Sequence, residues 1–284
     1  MAIERRMFFM RFPEGRKKAL TFSYDDGVIQ DVRFMGILNQ YGMKGTFNVN
    51  SALYAPEVPD PQKPSRRLTE TKLKEMFADG VHEIAVHSLT HPFLETLPPS
   101  GVAYEIVKDR ENLEKQFGRI VRGMAYPMGT FSDEVVATLR QCGIAYARTV
   151  VSTEKFKLPT DWLRLPATCH HNNPRLMELA KTFVEKDVKY HAELFYLWGH
   201  TYEFDDNDNW NVIEDFCEFM GGREADVWYA TNMEIYEYVQ DYERLVWSVD
   251  MTRVCNPTAR KLWFCNRNTV YSIEAGETLN LGEE

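Results

Sequence analysis

At 284 residues, 44% hydrophobic and 26% charged, the chain has the composition of an ordered globular protein, long enough for one large α/β domain and an appendage. A formal net charge of −9 argues against nucleic acid as a partner, because phosphate binding needs clustered Lys and Arg. The first residues lack an apolar run of signal-peptide length and no later stretch approaches a membrane span, so a cytoplasmic protein without membrane contact is expected.

Residues 18–24 are rich in β-formers and predict a strand that runs out into Asp25-Asp26-Gly27. A helical pattern follows, with Val32, Met35 and Leu38 turned toward a core, then a short strand at 45–49. Residues 52–67 hold four prolines and read as a long loop, after which Thr69 caps a helix that stops at Gly80. Strands are expected at 83–87, 123–126 and 145–150, separated by an amphipathic helix over 100–117 and a helix capped by Ser132. Residues 152–172 read as irregular, and Asn173-Pro174 opens a helix in cap-then-proline order. A buried strand at 193–198, a helix through Val212, Phe216 and Phe219, a strand at 227–230 and a helix capped by Thr231 bring the count to about seven β-α units. From 245 onward the segments 245–249, 261–264 and 270–273 alternate like antiparallel strands. The expected fold is α/β: an incomplete (β/α)7 barrel over residues 1–244 with a small C-terminal antiparallel β appendage over 245–284. The five cysteines carry no metal-type spacing and fit reduced thiols, with a Cys255–Cys265 bridge as the alternative. A homo-oligomer is compatible with this organisation.

A barrel collects functional groups at the C-terminal ends of its strands. Asp25 and Asp26 follow the first expected strand, His87 ends the third with His91 close behind, Tyr126-Pro127-Met128-Gly129 closes the fourth, and His200 closes the sixth. Two adjacent carboxylates need a cation, a shared proton or full solvation. His87 and His91, four apart, have a spacing that serves metal binding on a helical turn, and with one aspartate they make a two-His, one-carboxylate set that leaves positions open for water and substrate. The other aspartate is then free to act as a base.

These residues resemble the polysaccharide deacetylases, carbohydrate esterase family four. Tyr24-Asp25-Asp26-Gly27 is similar to the family's aromatic-Asp-Asp-Gly motif, and His87-Ser88-Leu89-Thr90-His91-Pro92 to its His-Ser/Thr-x-x-His-Pro motif. Tyr126-Pro127-Met128-Gly129 resembles the third motif, Asp161-Trp162 the fourth and Gly199-His200 the fifth, so that the likeness runs from Lys18 to about Ala230. The resemblance implies an incomplete barrel and removal of acetyl groups, N- or O-linked, from an acetylated sugar or oligosaccharide. It implies one divalent metal ion held by Asp26, His87 and His91, with zinc the first choice and cobalt, nickel or iron alternatives. Asp25 would be the base and His200 the acid, with Asp161 orienting His200. The Met128 backbone N–H would hold the oxyanion, while Tyr126, Trp162 and Trp198 would border the substrate.

The family often carries an arginine at the position of Ala125, where it pairs with the base. Arg148, at the rim end of the following strand, is the expected substitute by topology. His170-His171 could reach the same rim, and Glu203, Asp205 and Asp206 form an acidic lip that reads as a solvated loop. Two competing readings are a metal-free cyclic amide hydrolase of allantoinase type and a catalytically silent sugar-binding protein. Retention of Asp26, His87 and His91 argues against the first, and retention of Asp25 and His200 against the second.

Overall fold

The computed structural model describes residues 7–282. The outer ends of the two expected ranges, 1–6 and 283–284, lie outside the described residues. In chain order the chain forms β1 (Phe8–Arg11), β2 (Lys18–Asp25), α1 (Asp31–Gln40), β3 (Thr46–Val49), α2 (Glu70–Met76), β4 (Glu83–Val86), α3 (Pro99–Phe117) and β5 (Gly123–Ala125). It continues through α4 (Asp133–Gln141), β6 (Tyr146–Ser152), β7 (Leu165–Ala167), β8 (Cys169–His170), α5 (Leu176–Glu185), β9 (Glu193–Gly199), α6 (Tyr202–Asp206) and α7 (Asn211–Met220). The last elements are β10 (Val227–Tyr229), α8 (Asn232–Glu243), β11 (Val246–Trp247), β12 (Arg253–Cys255), β13 (Leu262–Asn266), β14 (Thr269–Ile273) and β15 (Thr278–Asn280).

The main sheet runs β7-β6-β5-β4-β3-β2-β9-β8, and β10 adds to β2. Every ladder in it is parallel, as alternating strands and helices require. The axis is β2, whose eight residues are all buried and which pairs with β9 from Lys18 to Tyr24. On its other side its upper end pairs with β3 and its lower end with β10. The sheet edges, β7 and β8, are successive pieces of one short chain segment rather than a paired ladder, so the barrel is incomplete. Residues 152–172, read from sequence as irregular, contain both pieces; strands of three and two residues are too short to leave a period.

Local signals mostly hold. Thr69, Ser132 and Thr231 each accept a hydrogen bond from the N3 backbone, and Thr231 forms a full capping box with Glu234. Two expectations fail. Val32 is 42% exposed because the buried stripe of α1 is Asp31, Phe34, Met35 and Leu38, and Val32 lies about 100° around the helix from Asp31. The helix expected to open at Asn173-Pro174 begins at Leu176, since the Asn173 carboxamide accepts from Arg175 N–H and closes a turn there.

A second apolar cluster joins main-sheet residues such as Ala19, Leu165 and Tyr196 to α8 and the chain ends, with Phe12, Tyr238, Val254, Leu262, Phe264 and Ile273 buried. There β1 pairs with β13, so an N-terminal strand that was not anticipated joins the C-terminal β segments. The second small sheet is β11-β12-β15. All five cysteines are free.

Candidate active site

Asp25 ends β2 and Asp26 starts the turn after it, and both carboxylates come within 3.9 Å of His87 Nε2. Asp26 has φ 85°, a left-handed backbone that opens the turn; its N–H donates to Asn48 O at 2.9 Å. His87 follows β4, and the loop to His91 is not the helical turn expected from the spacing. Ser88 and His91 both have positive φ, which folds the loop so that the two imidazoles meet with ring centroids 4.8 Å apart. His87 Nε2 and His91 Nε2 lie 3.9 and 3.8 Å from Asp26 Oδ1. The carbonyl of Ala125 accepts from His87 Nδ1 at 2.9 Å, which assigns the ring hydrogen to Nδ1 and leaves a lone pair on Nε2 facing Asp26. Burial pushes the His87 pKa down to about 4, so the ring is neutral near pH 7. Asp26, His87 and His91 thus gather three ligand atoms within 4.8 Å of one another, the His87 lone pair among them.

Asp25 is gripped by different partners. Arg148 Nη2 donates to both of its oxygens, at 2.5 Å to Oδ1, and Arg148 Nε donates to Ser23 Oγ at 3.2 Å. Arg148 is the direct ladder partner of Ala125, fully buried, with its guanidinium 4.5 Å from the centroid of Trp198. Asn48 Nδ2 donates to Asp25 Oδ1 at 2.9 Å. Burial alone would raise the Asp25 pKa, but Arg148, then His87 and His200, outweigh it and hold the carboxyl at about 2.

His200 follows β9, with Nε2 3.8 Å from Asp25 Oδ2. Its Nδ1 donates to Glu203 Oε1 at 2.7 Å. Burial opposes protonation of His200, yet the Glu203 hydrogen bond and the charges of Asp25 and Asp26 leave its pKa raised. The expected orienting partner, Asp161, is not there. It caps the short turn at Trp162–Arg164 by accepting from Leu163 N–H and pairs with Arg164 at 2.6 Å. Trp162 packs edge-on against Tyr236 with centroids 5.2 Å apart, whereas Trp198 is at the site, beside His170 and His200. Tyr126 is buried on Phe131 and donates its hydroxyl to Leu163 O. Met128 sits in the turn after β5 with φ 57° and a half-exposed side chain.

Several rim residues escaped sequence reasoning. Arg67, from the long loop, lies 3.0 Å from Asp26 Oδ1 and also donates to Asp26 O and Asn50 Oδ1. Asn50 Nδ2 donates to the carbonyls of His87 and Ser88. Asp109 of α3 accepts from His87 N–H at 3.2 Å and Ser51 N–H at 2.8 Å, and burial pushes its pKa up to about 7. The available signal was period two: Asn48 and Asn50 lie on one face at the rim end of β3.

Comparison with known proteins places the chain. The family model described as polysaccharide deacetylase matches residues 13–147. Over that span the chain is similar to the polysaccharide deacetylases. That span carries Asp25, Asp26, His87 and His91; Arg148 and His200 lie beyond it. A chitooligosaccharide deacetylase of Bradyrhizobium sp. (strain ANU 289) is 27% identical over 154 residues, 52% of this chain and 60% of that protein. The alignment thus spans less than two-thirds of this curated relative. Among solved structures, a polysaccharide deacetylase candidate from Mycobacterium smegmatis aligns with TM-score 0.57 at 16% identity, over 82% of this chain and 93% of that one. The Xyl-CE4 domain of a multidomain xylanase from the hindgut metagenome of Trinervitermes trinervoides aligns at 0.50 and 15%, over 79% and 92%. At such identities these two likenesses speak for the fold alone. Among the described residues no helix is long and apolar enough to cross a membrane.

Proposed function

We propose that this chain hydrolyses acetyl groups from an acetylated carbohydrate, with acetylated amino-sugar oligomers as the first substrates to try. The observation that supports it is the division of labour between neighbouring carboxylates: Asp25 is locked by Arg148, while Asp26 faces the free nitrogen lone pair of His87 and the ring of His91. Asp26, His87 and His91 would hold one divalent ion, zinc first, which when bound polarises the acetyl carbonyl and acidifies the attacking water.

The residues of the chain supply the proton steps. Asp25, ionised throughout the neutral range, accepts a proton from water as the water oxygen bonds to the acetyl carbon. Arg148 keeps that carboxylate in one orientation, and the Met128 backbone N–H donates to the developing oxyanion. His200, whose Nε2 lies 3.8 Å from Asp25 Oδ2, delivers a proton to the departing nitrogen or oxygen as its bond to the acetyl carbon breaks. Acetate and the free amine or alcohol result. The sugar then rests beside Trp198 and Tyr202, the aromatic side chains that pack on His200.

Acetate release from N- and O-acetylated mono- and oligosaccharides, measured with metal-supplemented protein, tests the proposal. Release that disappears in Asp25→Asn is expected. A chain that binds acetylated sugars without releasing acetate would turn the reading to a sugar-binding protein, and hydrolysis of cyclic amides alone would turn it to the allantoinase type.

A further inference from the structure

Glu203 is surrounded by four side chains at the rim. Its Oε1 accepts from His200 Nδ1 at 2.7 Å and lies 3.5 Å from His170 Nε2. Its Oε2 accepts from Asn172 Nδ2 at 2.6 Å and lies 3.3 Å from His171 Nε2. The tautomer of His170 follows from a fixed donor. The Asn172 backbone N–H donates to His170 Nδ1 at 3.1 Å, so the neutral ring carries its hydrogen on Nε2, toward Glu203. Although His170, His200 and Glu203 bring their ligand atoms within 4.8 Å of one another, the nitrogens facing the carboxylate present hydrogens rather than lone pairs. The cluster is a hydrogen-bond network and not a second cation site.

The network has a rigid back wall. His171 is fully buried, its ring parallel to that of Tyr24 at 5.7 Å and 4.2 Å from that of Phe204, the residue after Glu203. A Cβ on Gly199 would stand 2.0 Å from His171 Nδ1, so the glycine before His200 is what admits this ring. One turn of chain, from Gly199 through His200 to Glu203, thereby carries the acid, its carboxylate and the space for the ring that backs them.

We infer that Glu203 is the positioning residue of His200, with His171 and Asn172 fixing Glu203 in turn. The inference rests on the deacetylase reading for its catalytic meaning and on the hydrogen bonds for its geometry. Glu203 holds the His200 hydrogen on Nδ1 in the neutral ring, aims Nε2 at the leaving group beside Asp25, and stabilises the imidazolium before proton transfer. It takes the place that sequence reasoning gave to Asp161, and it does so from three residues downstream of the acid.

Leaving-group dependence tests this. In Glu203→Ala, kcat on an N-acetyl amino sugar should fall about 10- to 100-fold with KM little altered. On 4-nitrophenyl acetate, whose phenolate departs without a proton, kcat should match wild type; Glu203→Gln, which still accepts from Nδ1–H but carries no charge, should fall between. Equal losses on both substrates, or none on the amide, would overturn the role. The tautomer is read independently of turnover from long-range ¹H–¹⁵N spectra of the imidazoles. They should show His200 with its hydrogen on Nδ1 in wild type and a changed pattern in Glu203→Ala; an unchanged pattern would overturn the inference even for an inactive protein. Wild type inert on both substrates with the expected spectra would instead count against the deacetylase reading alone.

Discussion

Two corners of the same rim pair histidines with a carboxylate, and they are built in opposite ways. Around Asp26 the imidazole nitrogens stand back at 3.8 to 3.9 Å, and His87 has spent its hydrogen on Ala125 O. Around Glu203 the donors close in to between 2.6 and 3.5 Å, with hydrogens on His170 and His200 directed inward. The first corner turns the His87 lone pair toward a carboxylate that Arg67 already approaches, as a cation-binding site would; the second presents hydrogens, which an anion requires. The difference teaches that the outward hydrogen-bond partner of each imidazole, more than its spacing in sequence, decides which chemistry it serves. Asp25 touches both corners, its Oδ2 lying 3.9 Å from His87 and 3.8 Å from His200, the place proposed for the base.

The comparison breaks first at Asp25. Asp25→Asn keeps the shape but cannot take a proton, so acetate release should drop about 10³-fold, chiefly in kcat. Steady-state kinetics on the best acetylated sugar check this, and a loss confined to KM would move Asp25 out of the base role.

Arg148→Ala should act next most strongly. It strips the buried Asp25 of its counter-ion, and breaking such a pair costs about 3–5 kcal/mol of stability, visible as a lower Tm. The sign for activity follows from the depressed pKa. The folded carboxyl titrates at about 2, below its ordinary 3.8, so the stability it adds is present above pH 3.8 and lost as pH falls toward 2. Without Arg148 burial dominates, the pKa rises, and the acidic limb of the pH–rate profile should move to higher pH. An unmoved limb would mean that Arg148 holds the fold and does not tune the base.

The smallest effect is expected at Asp161. Its carboxylate serves Leu163 N–H and the partly exposed Arg164, so Asp161→Ala should change stability by no more than about 1 kcal/mol and leave kcat intact. A kcat loss that matches Glu203→Ala would reverse the assignment of the orienting carboxylate.

Much of the barrel could be read in advance because its strands are long enough to carry a pattern. The buried run of β2, the caps at Thr69, Ser132 and Thr231, and the turn glycines located the rim, and with it Asp25, Asp26, His87, His91 and His200. Arg148 was legible for a topological reason. Successive parallel strands put it beside Ala125, and the ladder pairs the two. Glu203 was not legible, because an acid in a loop has the same composition whether it is solvated or ringed by histidines. β7 and β8 left no periodic trace, and β1 depends on a partner more than 250 residues away in the chain. Asp161 misled because a motif-like dipeptide fixes residue type without fixing where the side chain is spent.

The central claim is that the Asp26 corner takes a cation and the Glu203 corner does not. Elemental analysis of protein purified with excess divalent metal and then desalted tests both halves at once, in wild type, His87→Ala and His170→Ala. One ion per chain in wild type and in His170→Ala, with none in His87→Ala, is the predicted result. Full occupancy in His87→Ala, or a second ion that His170→Ala removes, would contradict it.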